Sequence, residues 1–136
     1  MKYVDVNVFV YWLGDDPVFG DDATVILERI EKGERAATSS LTPWLAHVAL
    51  VNGTARNYSE EKLLGKFREL PFLRIEPLTF GDYGSAVGAM RRYRLDLEDS
   101  LHFTVAERLG IREIYTNDRD FEKTPLKREG FGQLRK

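Results

Sequence analysis

The sequence predicts an α/β protein with three layers, α/β/α, around a central and mainly parallel sheet. Short apolar runs typical of strands alternate with longer segments of helical periodicity, and this alternation is characteristic of a parallel sheet covered on both faces. A length of 136 residues suits one domain, and a hydrophobic fraction of 43% can fill a core. We therefore expect a single domain over residues 1–136.

Each element of this prediction rests on a local signal. The predicted strands are four short apolar runs: residues 2–5, 36–40, 73–78 and 111–117. The predicted helices fill the segments between and after them: 7–13, 23–33, 44–56, 60–70, 79–94 and 96–110, with a short helical turn around Phe121. Residues of capping type lie at their starts: Asn7, Asp21 or Asp22, Thr42 followed by Pro43, Ser59, Thr79 and Asp96.

The composition restricts the metal chemistry that the chain can carry. There are no cysteines, which excludes disulfides and thiolate metal sites. The two histidines, His47 and His102, are not spaced as a ligand cluster, so a zinc site is not expected. The composition favours only a hard cation held by oxygen ligands.

Hydropathy and charge restrict location and partners. No apolar stretch is long enough to span a bilayer, and the N-terminus has no signal-like apolar core, so we expect a cytoplasmic protein without a membrane partner. A net charge of −2 gives no general attraction for nucleic acid, which would need a local basic patch. Two clusters offer one: Lys123, Lys127, Arg128, Arg135 and Lys136 in the tail, and Arg91, Arg92 and Arg94. Solvated helix faces and a ragged chain end explain both clusters equally well.

Three aspartates lie at the ends of well-separated apolar runs. Asp5 closes the first run, Asp99 opens a helical pattern, and Asp118 follows the fourth predicted strand. Strand ends in a parallel sheet lie together on one edge, so these carboxylates can converge. Converging carboxylates repel one another unless a divalent cation lies between them, and such a cation can cut phosphodiesters. Singly, each also fits a local role: a turn or cap at Asp5, the helix dipole at Asp99, and a turn at Asp118.

Four short motifs carry a resemblance to a known family. They are V-D-V-N at 4–7, T-S-S-L-T at 38–42, D-S-L-H-F-T-V-A at 99–106 with Gly110, and T-N-D-R-D-F at 116–121. With this order and spacing the chain resembles a PIN domain, in particular a VapC-type toxin of a prokaryotic toxin–antitoxin pair. The resemblance implies an α/β/α fold and a Mg²⁺- or Mn²⁺-dependent ribonuclease. It also implies a homodimer and a cognate antitoxin that blocks the site.

The resemblance also assigns site residues. It makes Asp5, Asp99 and Asp118 the catalytic, metal-binding acids. Other residues are expected to support them: Asn7, Asp96, Thr116, Asp120 and Ser39. Ser39 and Ser40 follow the second strand, where they can contact a phosphate or water, or cap the helix that follows.

One position departs from the family pattern. Leu45 occupies the place of a usual glutamate, and leucine can neither bind a cation nor orient water. Asp96 shares a helix face with Asp99 and is the better replacement, whereas the adjacent Glu98 should point away. His47 is interpreted as a packed or solvated histidine. His102 either reaches the rim of the site or is a satisfied helix histidine.

The aromatic residues are assigned to packing rather than to RNA. Trp12, Trp44, Phe9 and Phe103 have the spacing of core residues, which favours core or dimer contacts over base stacking.

Three functional hypotheses follow. The first is the metal-dependent ribonuclease. The second is a catalytically degenerate PIN-like domain that binds RNA or a protein partner, because the expected glutamate is missing. The third, ranked lowest, is a phosphoacceptor pocket of the response-regulator type, since Asp5 stands alone after its strand and no suitable lysine follows a late strand.

Overall fold

The computed structural model describes residues 1–53 and 57–132. The strands are β1 (Lys2–Val4), β2 (Ala36–Ser39), β3 (Leu73–Glu76), β4 (Glu113–Tyr115) and β5 (Lys127–Glu129). The helices are α1 (Val6–Leu13), α2 (Gly20–Glu31), α3 (Thr42–Asn52), α4 (Glu60–Arg68), α5 (Phe80–Tyr93) and α6 (Leu97–Arg108), with a 3₁₀ turn at Arg119–Lys123. All strand pairs are parallel, and helices lie on both faces, so the predicted α/β/α fold is confirmed.

The strand order places a crevice at the centre of the sheet. The order is β3-β2-β1-β4-β5, so the chain leaves β1 toward one side and later returns to its other side. Tyr3 of β1 pairs with Ala37 of β2 and with Ile114 of β4. Ligands in open parallel sheets bind where the strand order reverses, beyond the carboxyl ends of the strands. In this chain that point lies between β1 and β4.

Alternating strand residues divide the core into two halves. Val4, Ala36 and Tyr115 face the layer formed by α1 to α4. Tyr3, Ala37 and Ile114 face α5, α6 and the 3₁₀ turn. Strands buried on both faces are apolar at every position, which explains why they read as short continuous apolar runs.

Several predicted helix starts are confirmed. The Ser59 side chain accepts a hydrogen bond from the Lys62 amide at the start of α4. Thr79 and Asp82 form a reciprocal capping box at the start of α5. Asp96 caps α6, and Gly110, with φ of 72°, follows its end.

Other predicted starts are wrong by a few residues. Asp5, not Asn7, caps α1. Helix α2 begins at Gly20 after Phe19, so the aspartates predicted as its cap lie within its first turn. Thr42 is the first residue of α3 rather than its cap, because Leu41 takes that position.

The fifth strand was not predicted from the sequence. Residues 127–129 read as part of a basic tail, yet they pair in parallel with β4 at the edge of the sheet. Arg128 is paired with Glu122 at 3.0 Å, and Lys123 with Asp120 at 3.2 Å. Arg128 and Lys123 are therefore paired with acids and do not form an unpaired basic patch. The predicted tail residues Arg135 and Lys136, and the predicted helix end at 54–56, lie outside the described residues.

Within residues 1–53 and 57–132, no helix combines the length and hydropathy needed to cross a bilayer.

The second basic cluster, Arg91, Arg92 and Arg94, is exposed at the end of α5.

Candidate metal site at the carboxyl edge of the sheet

Acidic side chains from three elements meet at the crevice between β1 and β4. Asp5 follows β1 directly, Asp118 follows β4 by three residues, and Asp99 lies in the first turn of α6. They line one cavity of about 240 Å³. The residues lining it are Asp5, Val6, Asn7, Val10, Leu45, Ala49, Glu98, Asp99 and Asp118. The three predicted acids therefore share one cavity.

Hydrogen bonds fix Asp5 to the end of β4. Its amide donates to the Tyr115 carbonyl at 3.0 Å, and its side chain is buried. Its Oδ1 accepts from the Val6 amide at 2.7 Å, and its Oδ2 accepts from the Thr116 hydroxyl at 2.6 Å. The same Thr116 oxygen accepts from the Asp118 amide at 3.0 Å. Thr116 thus links two of the acids.

The tightest acidic group includes an acid that was expected only to support the site. Among the described residues, Asp99, Asp118 and Asp120 offer carboxylate oxygens that all lie within 4.8 Å of one another. Asp5 lines the cavity but is outside this group, and each of its carboxylate oxygens accepts a protein hydrogen bond.

Burial and mutual repulsion raise the pKa values of two of these acids. Burial is the main cause that raises the pKa of Asp5 to about 6, and Asp118 and Asp96 add to it. Burial followed by the charges of Asp118, Asp96 and Asp5 raises the pKa of Asp99 to about 8. Protons therefore partly neutralise the free site at neutral pH, and a divalent cation in their place would relieve the same repulsion.

The donor set fits a hard divalent cation. The available ligands are carboxylate oxygens, together with the Asn7 Oδ1, which is buried and has no hydrogen-bond partner within the described chain. An unpaired buried amide oxygen is costly, and a cation is one way to satisfy it. No lysine or arginine of the described chain lines the cavity.

The acids at the start of α6 lie differently from the prediction. Leu45 lies on the cavity wall. Asp96 is committed to capping α6, its Oδ1 accepting from the Asp99 amide at 2.8 Å. Glu98, predicted to point away, lines the cavity instead, and burial raises its pKa. The prediction for Glu98 was wrong because the neighbouring residues Glu98 and Asp99 both line the cavity. The helical spacing of Asp96 and Asp99 indicated that only those two acids would share a face.

His102 is buried behind the site rather than at its rim. Its Nδ1 lies 2.6 Å from the Tyr3 hydroxyl, and its Nε2 lies 3.9 Å from Asp5 Oδ1. The Tyr3 hydroxyl also accepts from the Ser39 amide at 3.1 Å. Sequence reasoning did not identify Tyr3, because a tyrosine in a buried strand reads as core.

Other candidate residues have local partners. The Ser39 hydroxyl accepts from the Leu41 amide, and the Ser40 hydroxyl from the Leu78 amide, so neither serine caps α3 as the alternative expected. His47 pairs with the Tyr58 hydroxyl at 2.6 Å and is a packed histidine. Trp44, assigned to core or dimer packing, is 61% exposed and is therefore not a core residue, whereas Phe9 and Phe103 are buried.

Comparisons with solved structures agree with this fold. The chain is similar to Mycobacterium tuberculosis VapC20, a sarcin-ricin loop cleaving toxin, with a TM-score of 0.72 and 17% identity over 90% of this chain and 93% of that one. A toxin–antitoxin complex from Klebsiella pneumoniae matches with a TM-score of 0.66 and 17% identity over 93% and 99% of the two chains. Rickettsia felis VapBC2, solved with a promoter DNA fragment, matches with a TM-score of 0.61 and 24% identity over 95% and 98%.

The sequence comparisons assign the family. No curated protein matches this chain. The family model described as PIN domain matches residues 2–127, which include strands β1 to β4, the first residue of β5 and the residues that line the acidic cavity. This chain therefore belongs to the PIN domain family.

Proposed function

We propose that the protein is a metal-dependent endoribonuclease and the toxin of a type II toxin–antitoxin pair. The observation that carries the proposal is the meeting of Asp5, Asp99 and Asp118 in one cavity at the switch point of a PIN domain. The family match over residues 2–127 supports a single domain over 1–136, and a toxin of this kind would act in the cytoplasm. VapC20, which cleaves an RNA loop, supports RNA as the substrate class.

Each residue of the site has a role in this proposal. Asp5, Asp99 and Asp118 hold Mg²⁺ or Mn²⁺, with Asn7 Oδ1 and Asp120 as further oxygen ligands. When bound, the ion would supply a more acidic water and a positive charge for the scissile phosphate. Thr116 holds Asp5 and Asp118 in register through its hydroxyl. Val10, Leu45 and Ala49 supply the apolar part of the cavity lining.

Glu98 is the fourth acid in this proposal. It lines the cavity together with Leu45, which stands where the family pattern has glutamate. Glu98 lies in α6 and Leu45 in α3, so the Glu98 carboxylate can supply from another helix the negative charge that Leu45 lacks. This arrangement favours an active enzyme over the degenerate alternative.

The test is RNA cleavage with Mn²⁺, Mg²⁺ or a chelator. Mutation of a residue that supports a metal ligand typically lowers activity roughly tenfold to hundredfold. Since Asp5 is itself a proposed ligand, we expect Asp5→Asn to lower the cleavage rate by at least this amount. Asp15→Asn is the matched control, because Asp15 is an exposed loop residue with φ of 49° that asparagine tolerates. Metal-dependent cleavage that survives in a clean Asp5→Asn preparation would contradict the assignment.

The second candidate is a PIN domain that binds RNA or a protein without efficient cleavage. The presence of Leu45 in the cavity favours it. Under this alternative, wild-type protein cleaves poorly, and Leu45→Glu raises Mn²⁺ affinity and creates cleavage. Good cleavage by the wild type, unchanged by Leu45→Glu, would exclude the alternative.

The antitoxin has a candidate docking groove beside the site. Pro43 and Trp44 of α3 and Leu63 and Leu64 of α4 line a mainly apolar cavity of about 370 Å³. Trp44 is 61% and Leu64 44% exposed, which is costly without a partner. We expect a small protein encoded next to this gene to copurify with the wild type, and Trp44→Ser to weaken that complex. Equal copurification of both would contradict this docking site.

A second copy of the chain has its own candidate surface. Phe80, Tyr83 and Val87 form an exposed apolar stripe along α5, and Phe80 is 91% exposed. We propose that a homodimer covers this stripe, which lies on the other helical layer from the antitoxin groove.

A further inference from the structure

We propose that His102 is a positioning residue for Asp5, held by Tyr3 as the neutral Nε2–H tautomer and directing that N–H toward the Asp5 carboxylate. The inference rests on the proposed function, because it concerns the site that would hold the cation.

The observation behind it is a buried polar atom that faces the site without a partner. His102 is 1% exposed and lies one turn along α6 from Asp99. Its Nε2 has no hydrogen-bond partner in the described part of the chain and lies 3.9 Å from Asp5 Oδ1. Leaving a buried ring nitrogen unpaired costs free energy, so its direction toward Asp5 needs a reason.

The hydrogen bonds around Tyr3 select the tautomer. The Tyr3 oxygen accepts from the Ser39 amide at 3.1 Å and lies 2.6 Å from His102 Nδ1. If Nδ1 carried the proton, the tyrosine would accept from both neighbours, and Nε2 would present a lone pair to the Asp5 carboxylate. With the proton on Nε2, Tyr3 donates to Nδ1, and Nε2–H faces the acid.

The imidazole acts as a neutral donor rather than as an ion. Nδ1 can accept the Tyr3 proton only in the neutral ring, and full burial disfavours the charged form of the imidazole. The distance of 3.9 Å exceeds a hydrogen bond by about 1 Å, so the proposed contact requires the Asp5 carboxyl and the ring to approach each other by that amount. Together with the Val6 amide and the Thr116 hydroxyl, Nε2–H would be a third donor to Asp5. Donors of this kind favour the ionised carboxylate that a cation requires.

The chain contains a matched control for this pair. His47 Nδ1 and the Tyr58 hydroxyl also lie 2.6 Å apart, but neither residue lines the acidic cavity. A histidine–tyrosine pair of the same geometry can therefore be removed away from the acids.

The first measurement is the tautomer of His102 in metal-free protein, read from its ¹⁵N chemical shifts. We expect the Nε2–H form in the wild type and a loss of this preference in Tyr3→Phe. An Nδ1–H form in the wild type would overturn the inference.

The second measurement is Mn²⁺ affinity by titration calorimetry. We expect His102→Leu and Tyr3→Phe each to weaken binding by about tenfold, and the double variant to lose little more, because both act through one contact. His47→Leu and Tyr58→Phe should bind Mn²⁺ like the wild type. Unchanged affinity in a folded His102→Leu or Tyr3→Phe protein would overturn the inference, as would an equal loss in the control pair.

The two proposals fail in different ways. If Asp5→Asn loses Mn²⁺ but His102→Leu keeps it, the role of His102 is wrong and the metal site stands. If the wild type binds Mn²⁺ with the expected His102 effect but cleaves no RNA, the nuclease proposal is wrong and the role of His102 stands.

Discussion

Asp5 caps a helix and lines the acidic cavity with the same carboxylate. The sequence left open whether it is a helix cap or a site acid, and the structure shows that it caps α1 while it lines the acidic cavity. Both follow from its place directly after the central strand, where a helix begins and where the crevice opens. Local signals could identify the residue but could not separate its two roles, since they are compatible.

At the residue scale, the raised pKa values predict how metal affinity depends on pH. With pKa values of about 8 for Asp99 and about 6 for Asp5, a cation binding between pH 6 and 8 must displace a proton from Asp99. We expect Mn²⁺ affinity to rise by about tenfold per pH unit over this range and to level off above it. Calorimetry in buffers of different ionisation enthalpy would count the released proton. An affinity that stays constant from pH 6 to 8 would contradict the prediction.

The same shifts predict the stability of the metal-free protein. Both aspartates have pKa values raised from 3.8, so the folded state binds more protons than the unfolded state between pH 4 and 8. The free energy of unfolding should therefore fall as the pH rises through this window, on account of these two groups. Thermal unfolding should show Mn²⁺ raising the Tm more at pH 8 than at pH 5. The opposite order would mean that these acids are not repelling one another.

Exchange of one acid for another tests whether Glu98 replaces the missing glutamate. We expect Glu98→Gln to weaken Mn²⁺ binding by about tenfold, and Leu45→Glu to restore it in the Glu98→Gln background. The physical reason is that both side chains line the same cavity, so either can supply the fourth negative charge.

Glu107→Gln on the same helix is the control, because Glu107 faces a different cavity. If Glu98→Gln binds Mn²⁺ like the wild type, Glu98 is only a neighbour of the site.

At the scale of elements, the cap of α6 controls the position of Asp99. Asp96 accepts from the Asp99 amide, so the cap and the candidate ligand are one hydrogen bond apart. Asp96→Asn and Asp96→Ala both remove the charge, but asparagine keeps a capping oxygen. We expect the alanine variant to be less stable by about 1 kcal/mol in urea denaturation. It should also bind Mn²⁺ more weakly than the asparagine variant, because the first turn frays. Equal behaviour of the two variants would show that the cap does not position Asp99.

A strand could be predicted where its residues were apolar. A helix start could be predicted where the side chain of a serine, threonine or aspartate caps the helix. Ser59, Thr79 and Asp96 meet this condition, and their helices begin as predicted. Strand β5 does not meet the condition for strands, because Lys127–Glu129 is a charged edge strand held by pairing with β4. Lysine and glutamate are depleted in strands, so no local pattern marks β5.

At the scale of the whole molecule, the site exists because the strand order reverses between β1 and β4. The sequence predicted that strand ends would gather, and the parallel sheet confirms that reasoning. It could not predict that Glu98 lines the cavity while His102 lies buried behind it, since tertiary packing in the core half around Phe103 sets which face of α6 meets the sheet. The exposure of Trp44 was missed for a similar reason, because helical spacing does not tell a core face from a docking face.

The stripe on α5 predicts a symmetric dimer with a defined register. Residues 80, 83, 84, 87 and 88 follow the spacing of a buried helix face, yet Phe80, Tyr83 and Val87 are exposed. Two antiparallel copies with a two-fold axis between positions 85 and 86 would place Tyr83 against Gly88, Val87 against Gly84, and Phe80 against Arg91. The larger side chains of Tyr83 and Val87 would then pack against glycines of the second copy, and the Phe80 ring would contact the Arg91 guanidinium.

A methyl group added at Gly88 tests this register. A Cβ there has no neighbour within 4 Å in the described structure, and the same holds for Gly65 of α4. Gly88→Ala and Gly65→Ala should therefore each stabilise the monomer by roughly 0.5–1 kcal/mol, since alanine favours helix more than glycine. Only Gly88→Ala should weaken the dimer, by about tenfold, because its methyl group obstructs Tyr83 of the second copy. Sedimentation equilibrium measures the association, and urea denaturation measures the stability. A wild type that stays monomeric at tens of micromolar, or equal association of both variants, would show that α5 is not the dimer surface.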